Sequence, residues 1–232
     1  MKKTKMFSPF AICMIVGVIV CILADAIFYH PAEFTWMEIL AVVAAILGVF
    51  NVVLSSDGNI WNYIFGVATV TSYGIVAFNA DNYGDGVMNL ACLLPMQFLG
   101  FFMWKNRGAD LSKDAQDAQV EGQRLSWKGR TLVFCVGAVA VAGLAMVLTI
   151  VQSTAPWLDA TKTVLNITAQ VLMTFAFMEQ WVLWIIVNIV SVTLWIVSAM
   201  EGKPGSEIMI IMWVFYLIIS IHGFRVWLKI SK

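Results

Sequence analysis

Charge is what this sequence has least of. Only 12% of its 232 residues are Asp, Glu, Lys or Arg, against 61% hydrophobic, and the mean hydropathy is +0.86. A soluble domain of this size needs more polar surface than that to cover it, so a soluble fold is excluded. Histidine is almost absent: His30 and His222 fall on different predicted helices. Without an HExxH-like pair they argue against a membrane zinc enzyme. No phosphate-cradling Walker loop occurs, so this chain is not itself an ATP-driven machine. No carboxylate lies at mid-depth in an apolar segment, which leaves no obvious proton relay or cation-coupling site. A retinal protein would need a lysine in the middle of its last helix, and none occurs between Glu207 and Leu228. The four cysteines, Cys13, Cys21, Cys92 and Cys135, sit in apolar segments without metal-ligand spacing. They read as ordinary buried residues, not as disulfides. Asn166-Ile-Thr168 matches a glycosylation acceptor but falls inside a predicted span. No cofactor, metal or nucleic-acid partner is expected.

What is present is a series of eight apolar segments about 20 residues long, the length that crosses a ~30 Å hydrocarbon core. An all-α polytopic membrane protein follows, with membrane lipids as its surroundings. The first segment, within residues 1–30, has a basic start and a possible cleavage site at Ala24-Asp25-Ala26. Its apolar run is longer than a signal core, which favours a retained extra N-terminal helix. Helices are predicted near 35–55, 59–79 and 86–105. A polar linker spans 106–129 and contains Asp110, Lys113, Asp114, Asp117 and Glu121; it is expected to be amphipathic or irregular. Further spans are predicted near 130–152, 158–178, 180–200 and 206–229.

Eight spans put both termini on one side. That side carries Lys2, Lys3 and Lys5, then Lys105, Arg107, Lys113, Arg124, Lys128 and Arg130, then Arg225, Lys229 and Lys232. Only Lys162 and Lys203 fall opposite. The positive-inside rule therefore makes both termini and the linker cytoplasmic. A shift of 123 residues places Trp61 on Trp184, Gly100 on Gly223 and Trp104 on Trp227. It maps the helices of 35–105 onto those of 158–232 in the same orientation, a parallel repeat with the helix at 130–152 restoring direction between them. One helix, three, one, three: the layout is similar to that of SWEET-like transporters. In such carriers the substrate lies near the midplane, at the repeat interface.

The stretch most concentrated in chemistry is Gln180-Trp181-Val-Leu-Trp184-Ile-Ile-Val-Asn188. Trp181, Trp184 and Asn188 fall within about 60° on a helix. Two indole faces beside an amide suit a planar ligand that also forms hydrogen bonds, since a lone amide in hydrocarbon is costly. From the other half of the chain, Trp61, Asn62 and Gln97 are the matching groups. Asn51, Asn89, Gln170, Thr174 and Tyr216 are weaker candidates.

The Trp-x-x-Trp-x-x-x-Asn pattern of Trp181, Trp184 and Asn188, preceded by Glu179-Gln180, resembles the signature of the PnuC family of bacterial vitamin transporters. The resemblance extends over the extra first helix, the basic linker and the repeat. It implies import of nicotinamide riboside through the bacterial inner membrane by facilitated diffusion, with a cytoplasmic nicotinamide riboside kinase trapping the substrate. It also implies a homotrimer, and relatives that carry thiamine or riboflavin. A pyridinium ring is a flat cation that indole faces attract, and Asn188 and Gln180 offer amide groups to a carboxamide or ribose.

Plainer readings compete. A tryptophan near a helix end is commonly an interfacial anchor, the expectation for Trp36, Trp104, Trp127, Trp157 and Trp227. Asn188 has a rival reading as helix–helix glue. Gln97 follows Pro95 and has a rival role in satisfying its own kinked helix. Gly100 and Gly223 read as close-packing sites, and Asp25 and Glu38 as interfacial. A membrane-embedded enzyme acting on a lipid or isoprenoid would need an acid, base or metal cluster that the spans lack. An assembly subunit would show no tryptophan-dependent affinity for a vitamin.

Overall fold

The computed structural model describes residues 8–29, 35–79, 83–111, 118–152, 156–202 and 206–232. Lys2, Lys3, Lys5, His30, Lys113, Asp114, Asp117 and Lys203 lie outside the described residues. The regular elements of the described residues are helices: α1 (Pro9–Tyr29), α2 (Trp36–Ser56), α3 (Asn62–Asn79), α4 (Tyr83–Val87), a π-helical turn (Met88–Leu93), α5 (Leu94–Lys105), α6 (Trp127–Ile150), α7 (Pro156–Thr174), α8 (Gln180–Met200) and α9 (Ser206–Ile230).

The boundaries have local causes. Thr35 and Glu38 form a reciprocal capping box: the Glu38 N–H donates to Thr35 Oγ1 at 3.3 Å, and the Thr35 N–H donates to Glu38 Oε2 at 2.7 Å. Ser126 caps α6 by accepting from the Gly129 N–H at 3.2 Å. Pro95 cannot donate to the preceding turn, and the helix ahead of it widens, the Leu94 N–H reaching back to Asn89 O. The predicted kink is thus a π turn. Such turns often mark functional places in a helix.

Among the described residues, α2, α6, α8 and α9 contain stretches long and apolar enough to cross a membrane by length and composition. Eight such stretches were expected. The difference lies in composition and continuity. Helix α7 carries Asp159, Lys162, Asn166 and Gln170, and α3 has Asn62 and Asn79 at its ends and Tyr63, Thr69, Thr71, Ser72 and Tyr73 between them. The π turn divides α4 from α5, and α1 counts as a shorter apolar helix over Pro9–Asp25.

The linker is not a solvated tether. Ala109, Ala118 and Val120 are buried, and residues 118–123 stitch together two chain reversals, the end of α5 and the C-terminal end. The Ile60 N–H donates to Ala118 O and the Val120 N–H to Gly58 O. Three residues on, the Gln123 N–H donates to Ala176 O and the Met178 N–H to Gln123 O. Gly122 pairs with the C-terminal end through Ile230 and Lys232.

The two reversals have the same construction. Helix α2 ends with the Gly58 N–H on Ser55 O and the Asn59 N–H on Leu54 O; α7 ends with the Ala176 N–H on Met173 O and the Phe177 N–H on Leu172 O. Both are Schellman motifs with a left-handed residue after the helix, φ +70° at Gly58 and +60° at Ala176. They lie 118 positions apart, five fewer than the shift that aligns Gly100 with Gly223. The ungapped pairing of Trp61 with Trp184 is therefore corrected. In the register of the turns Trp61 corresponds to Glu179, and Trp184 corresponds to Gly66.

Candidate functional site

Two buried indoles lock the bundle at the linker end. Trp104 Nε1 donates to Met173 O at 2.8 Å, and Trp227 Nε1 donates to Ser55 O at 3.1 Å. Each indole thus holds the last turn of a helix from the other half of the chain, and the two rings lie 5.5 Å apart. Both are fully buried, so neither is the interfacial anchor expected from its position near a helix end. Trp36, Trp127 and Trp157 are exposed, as anchors are. Gly100 faces the Tyr63 ring and Gly223 the Trp181 ring, each in the space a Cβ would occupy. These glycines exist for packing.

Beside this aromatic plug lies a cavity of about 230 Å³. Helix α2 contributes Asn51, Val52 and Ser55, and α7 contributes Gln170 and Met173. Trp181, Trp184 and Asn188 come from α8, and Trp213, Tyr216 and Ser220 from α9. Ser55 Oγ meets Met173 Sδ at 3.6 Å, joining the two halves of the chain at the cavity wall. The α9 triplet repeats the spacing of the α8 triplet, three and then four residues, so each helix presents one stripe. The stripes meet where Asn188 Nδ2 donates to Ser220 Oγ at 2.7 Å.

Of the predicted residues, Trp181, Trp184 and Asn188 line this cavity, together with the weaker candidates Asn51, Gln170 and Tyr216. The others do not. Trp61 packs half-buried against the plug. Asn62 Nδ2 donates to Asn59 O at 2.7 Å, and Thr174 Oγ1 donates to Gln170 O at 2.9 Å within its own helix. Asn89 is buried in the π turn. Gln97 and Asn51 both lie against Gly66. Gln180 is fully buried with neither side-chain polar atom partnered. Glu179 is structural: it salt-bridges Arg130 at 2.9 Å and accepts the Leu125 N–H, tying the linker to the start of α8.

Sequence reading passed over Trp213, Ser220, Ser55, Val52 and Met173. The repeated three-and-four spacing on α9 was the available signal for the first two. Ser55, Val52 and Met173 carry no such signal, because ordinary residues become lining only through tertiary placement.

The cavity chemistry is well defined. Four aromatic rings, from Trp181, Trp184, Trp213 and Tyr216, surround it, and none of its lining residues carries a charge. Three buried donors have no partner: Gln170 Nε2, Trp181 Nε1 and Trp213 Nε1. Buried polar atoms are ordinarily bonded. These three belong to cavity-lining residues but are themselves closed off from the open space, so a ligand that accepts hydrogen bonds reaches them only after the side chains turn.

Comparison with known proteins now decides the family. The model of the family described as nicotinamide mononucleotide transporter matches residues 35–229. A protein of Neisseria mucosa named nicotinamide riboside transporter PnuC is 36% identical over 193 residues, 83% of this chain and 73% of the relative. The chain belongs to the PnuC family. A Haemophilus influenzae PnuC is 32% identical, covering 83% of this chain and 80% of that one. The crystal structure titled as the vitamin B3 transporter PnuC superposes with a TM-score of 0.76 at 32% identity, covering 97% of this chain and 92% of that one. The PnuC relatives are transporters, not enzymes. The family match starts at residue 35 and so leaves out α1, which packs on α2 and α9 through Ala11, Val18 and Ile219.

Proposed function

We propose that this chain imports nicotinamide riboside, and that the cavity between α2, α7, α8 and α9 is where the substrate binds. The observation that carries the reading is the cavity wall: four aromatic rings, side-chain amides and hydroxyls, and no charged side chain. A pyridinium ring gains from indole faces both by burial and by cation–π attraction, about 2 kcal/mol or more when desolvated. The carboxamide oxygen and ribose hydroxyls would accept from Gln170 Nε2, Trp181 Nε1 and Trp213 Nε1 once these unpartnered donors turn toward the substrate. The uncharged wall also favours the riboside over the mononucleotide, because a desolvated phosphate needs a cation or several charge-assisted donors. At about 230 Å³ the cavity falls below the usual ~300–1,000 Å³ range for drug-sized ligands, in keeping with a small nucleoside.

Transport is read as uniport. With no carboxylate on the cavity wall, there is no group to couple a proton or cation. The matched turns and the reciprocal indole clamps support two three-helix units in a SWEET-like arrangement, α2–α5 and α7–α9. On this reading α1 is the extra helix and α6 the link, eight spans in all, corresponding to the segments 1–30, 35–105, 130–152 and 158–232 with 106–129 as linker. Rocking of the units about the Ser55–Met173 contact would open the cavity alternately. The described basic residues of the linker end, including Arg124, Arg130 and Lys229, support a cytoplasmic assignment for that end and for both termini in the inner membrane. Trapping by a cytoplasmic kinase and a homotrimeric assembly come from the family resemblance.

The test is calorimetric titration of the detergent-purified protein with nicotinamide riboside, its mononucleotide, thiamine and riboflavin in parallel. Saturable heat for nicotinamide riboside alone is the expected result. Equal heat for the mononucleotide would remove the electrostatic argument, and heat for thiamine or riboflavin alone would change the substrate while keeping the site.

A further inference from the structure

A second, larger cavity of about 640 Å³ lies on the outer side of the bundle, between α6 and the α7–α9 helices. Helix α6 is the least integrated element: apart from Ala145 its residues are not buried, and Phe134, Val139 and Met146 are strongly exposed. Leaning on α7, it leaves a groove whose far wall includes Phe224 and Leu228 of α9. The groove follows α6 from Arg130 to Val141 and α7 from Thr161 to Leu172. Eleven residues at 1.5 Å each give roughly 16 Å along either wall. That is half of a ~30 Å hydrocarbon core, the depth of one leaflet.

The polarity of the groove is one-sided. Its charged lining residues are Arg124, Arg130 and Glu179, all at the linker end. Glu179 is already engaged by Arg130 and by the Leu125 N–H, and Arg124 directs one guanidinium N–H to Leu228 O at 2.7 Å while remaining exposed. Lys128 is also exposed, on the first turn of α6. Arg130 and Glu179 offset one another, and Arg124 of the lining with the neighbouring Lys128 leaves the mouth positive. Away from the mouth the wall is apolar but for Thr161 and Thr168, and Thr161 Oγ1 bonds Trp157 O within its own helix.

We propose that this groove holds one acyl chain of an anionic phospholipid from the leaflet on the linker side, its headgroup on Arg124, beside the Arg130–Glu179 pair. Depth and charge both select this occupant. A chain lying along α6 reaches about mid-membrane, and a negative headgroup meets cations where the groove opens at the surface. Such a lipid would brace α6 against the α7–α9 unit, the helices that form most of the substrate cavity. The site is independent of substrate identity.

The test uses the full chain in detergent, titrated with dioleoylphosphatidylglycerol or dioleoylphosphatidylcholine, with bound lipid counted by native mass spectrometry and folding followed by melting. The wild type should retain one phosphatidylglycerol per chain, with at least about a fivefold preference over phosphatidylcholine, the effect of one basic residue near the surface. Gly137 lines the groove and faces open space where a Cβ would stand, so Gly137→Phe should fill the groove, abolish retention and still melt cooperatively. Arg124→Gln should weaken phosphatidylglycerol about fivefold and erase the headgroup preference; it decides the question alone if Gly137→Phe does not fold. Equal retention of both lipids by the wild type would overturn the proposal, as would undiminished retention in a folded Gly137→Phe. A changed oligomer mass in Gly137→Phe, with lipid number unaltered, would make the groove a contact between copies of the chain instead.

Discussion

The two halves of the bundle share a frame and differ in what they do with it. Helices α2 and α7 end in the same turn, and Trp104 and Trp227 clamp those turns from opposite halves. Yet only Asn51, Val52 and Ser55 of the cavity wall come from the first half. The reason is visible at one pair of positions. Where α8 projects Trp184 into the cavity, α3 has Gly66, and the space a side chain would need there is filled by Gln97 and Asn51. The frame is shared by both halves, whereas the positions on the cavity side differ between them.

The largest break in this comparison should come from Trp184→Ala, which removes an aromatic wall. Affinity for nicotinamide riboside is expected to fall by about 2–3 kcal/mol, the loss of a cation–π contact and its buried area. Trp61→Ala, in the ring that the ungapped alignment would equate with Trp184, should change affinity by no more than about 0.5 kcal/mol. Calorimetry on the two variants gives the order directly, and the reverse order would put the site in the wrong half. Next in size is Gly66→Ala. Its Cβ would press on Gln97 and Asn51, so stability should drop by about 1–3 kcal/mol, the cost of overpacking. An unchanged melting temperature would show that the first half has room for a side chain after all.

The clamps should behave alike where the cavity residues do not. Trp104→Phe and Trp227→Phe each leave a buried carbonyl, Met173 O or Ser55 O, without its indole donor. Each is expected to lose about 1–2 kcal/mol of stability, and the two losses should agree within about 0.5 kcal/mol. A large asymmetry would mean that the shared frame is only geometric. Smaller again is the seam between stripes. A double-mutant cycle on Asn188→Ala and Ser220→Ala should give a coupling of about 1 kcal/mol in stability; additive losses would dissolve the Asn188–Ser220 bond as a determinant.

Helix positions and the α8 site stripe were legible because both depend on local periodicity. A run of apolar residues sets its own span, and Trp181, Trp184 and Asn188 share a face whatever surrounds them. The fate of Trp104 and Trp227 was not legible, because an indole near a helix end looks identical whether it meets lipid or a carbonyl from another helix. Nor was the linker's role. Ala118, Val120 and Gly122 have no pattern of their own, and they are ordered by backbone hydrogen bonds to turns that are distant in sequence. Gln97 and Gln180 were read as ligand contacts because an amide in a span needs a partner. Both are buried outside the lining of the cavity, with Gln97 Oε1 and both Gln180 polar atoms unpartnered.

The finest difference between the halves is Gly58 against Ala176. Both residues sit at positive φ, where an L-residue with a Cβ is strained by roughly 1–2 kcal/mol and glycine is not. Glycine, however, has more unfolded-state freedom to lose, worth about 0.4–1 kcal/mol. For Ala176→Gly the strain relief narrowly exceeds the entropy cost, so stability should rise by about 0.5 kcal/mol. For Gly58→Ala both terms reverse, and the added methyl would also meet Ile230 Cδ1 at 2.9 Å and Gln119 Cγ at 3.3 Å. It should therefore destabilise by more than Ala176→Gly stabilises. Chemical denaturation of the pair measures the asymmetry. Equal and opposite shifts would mean that the packing of Ile230 and the linker against the first turn contributes nothing, and that the two turns differ only in their backbone.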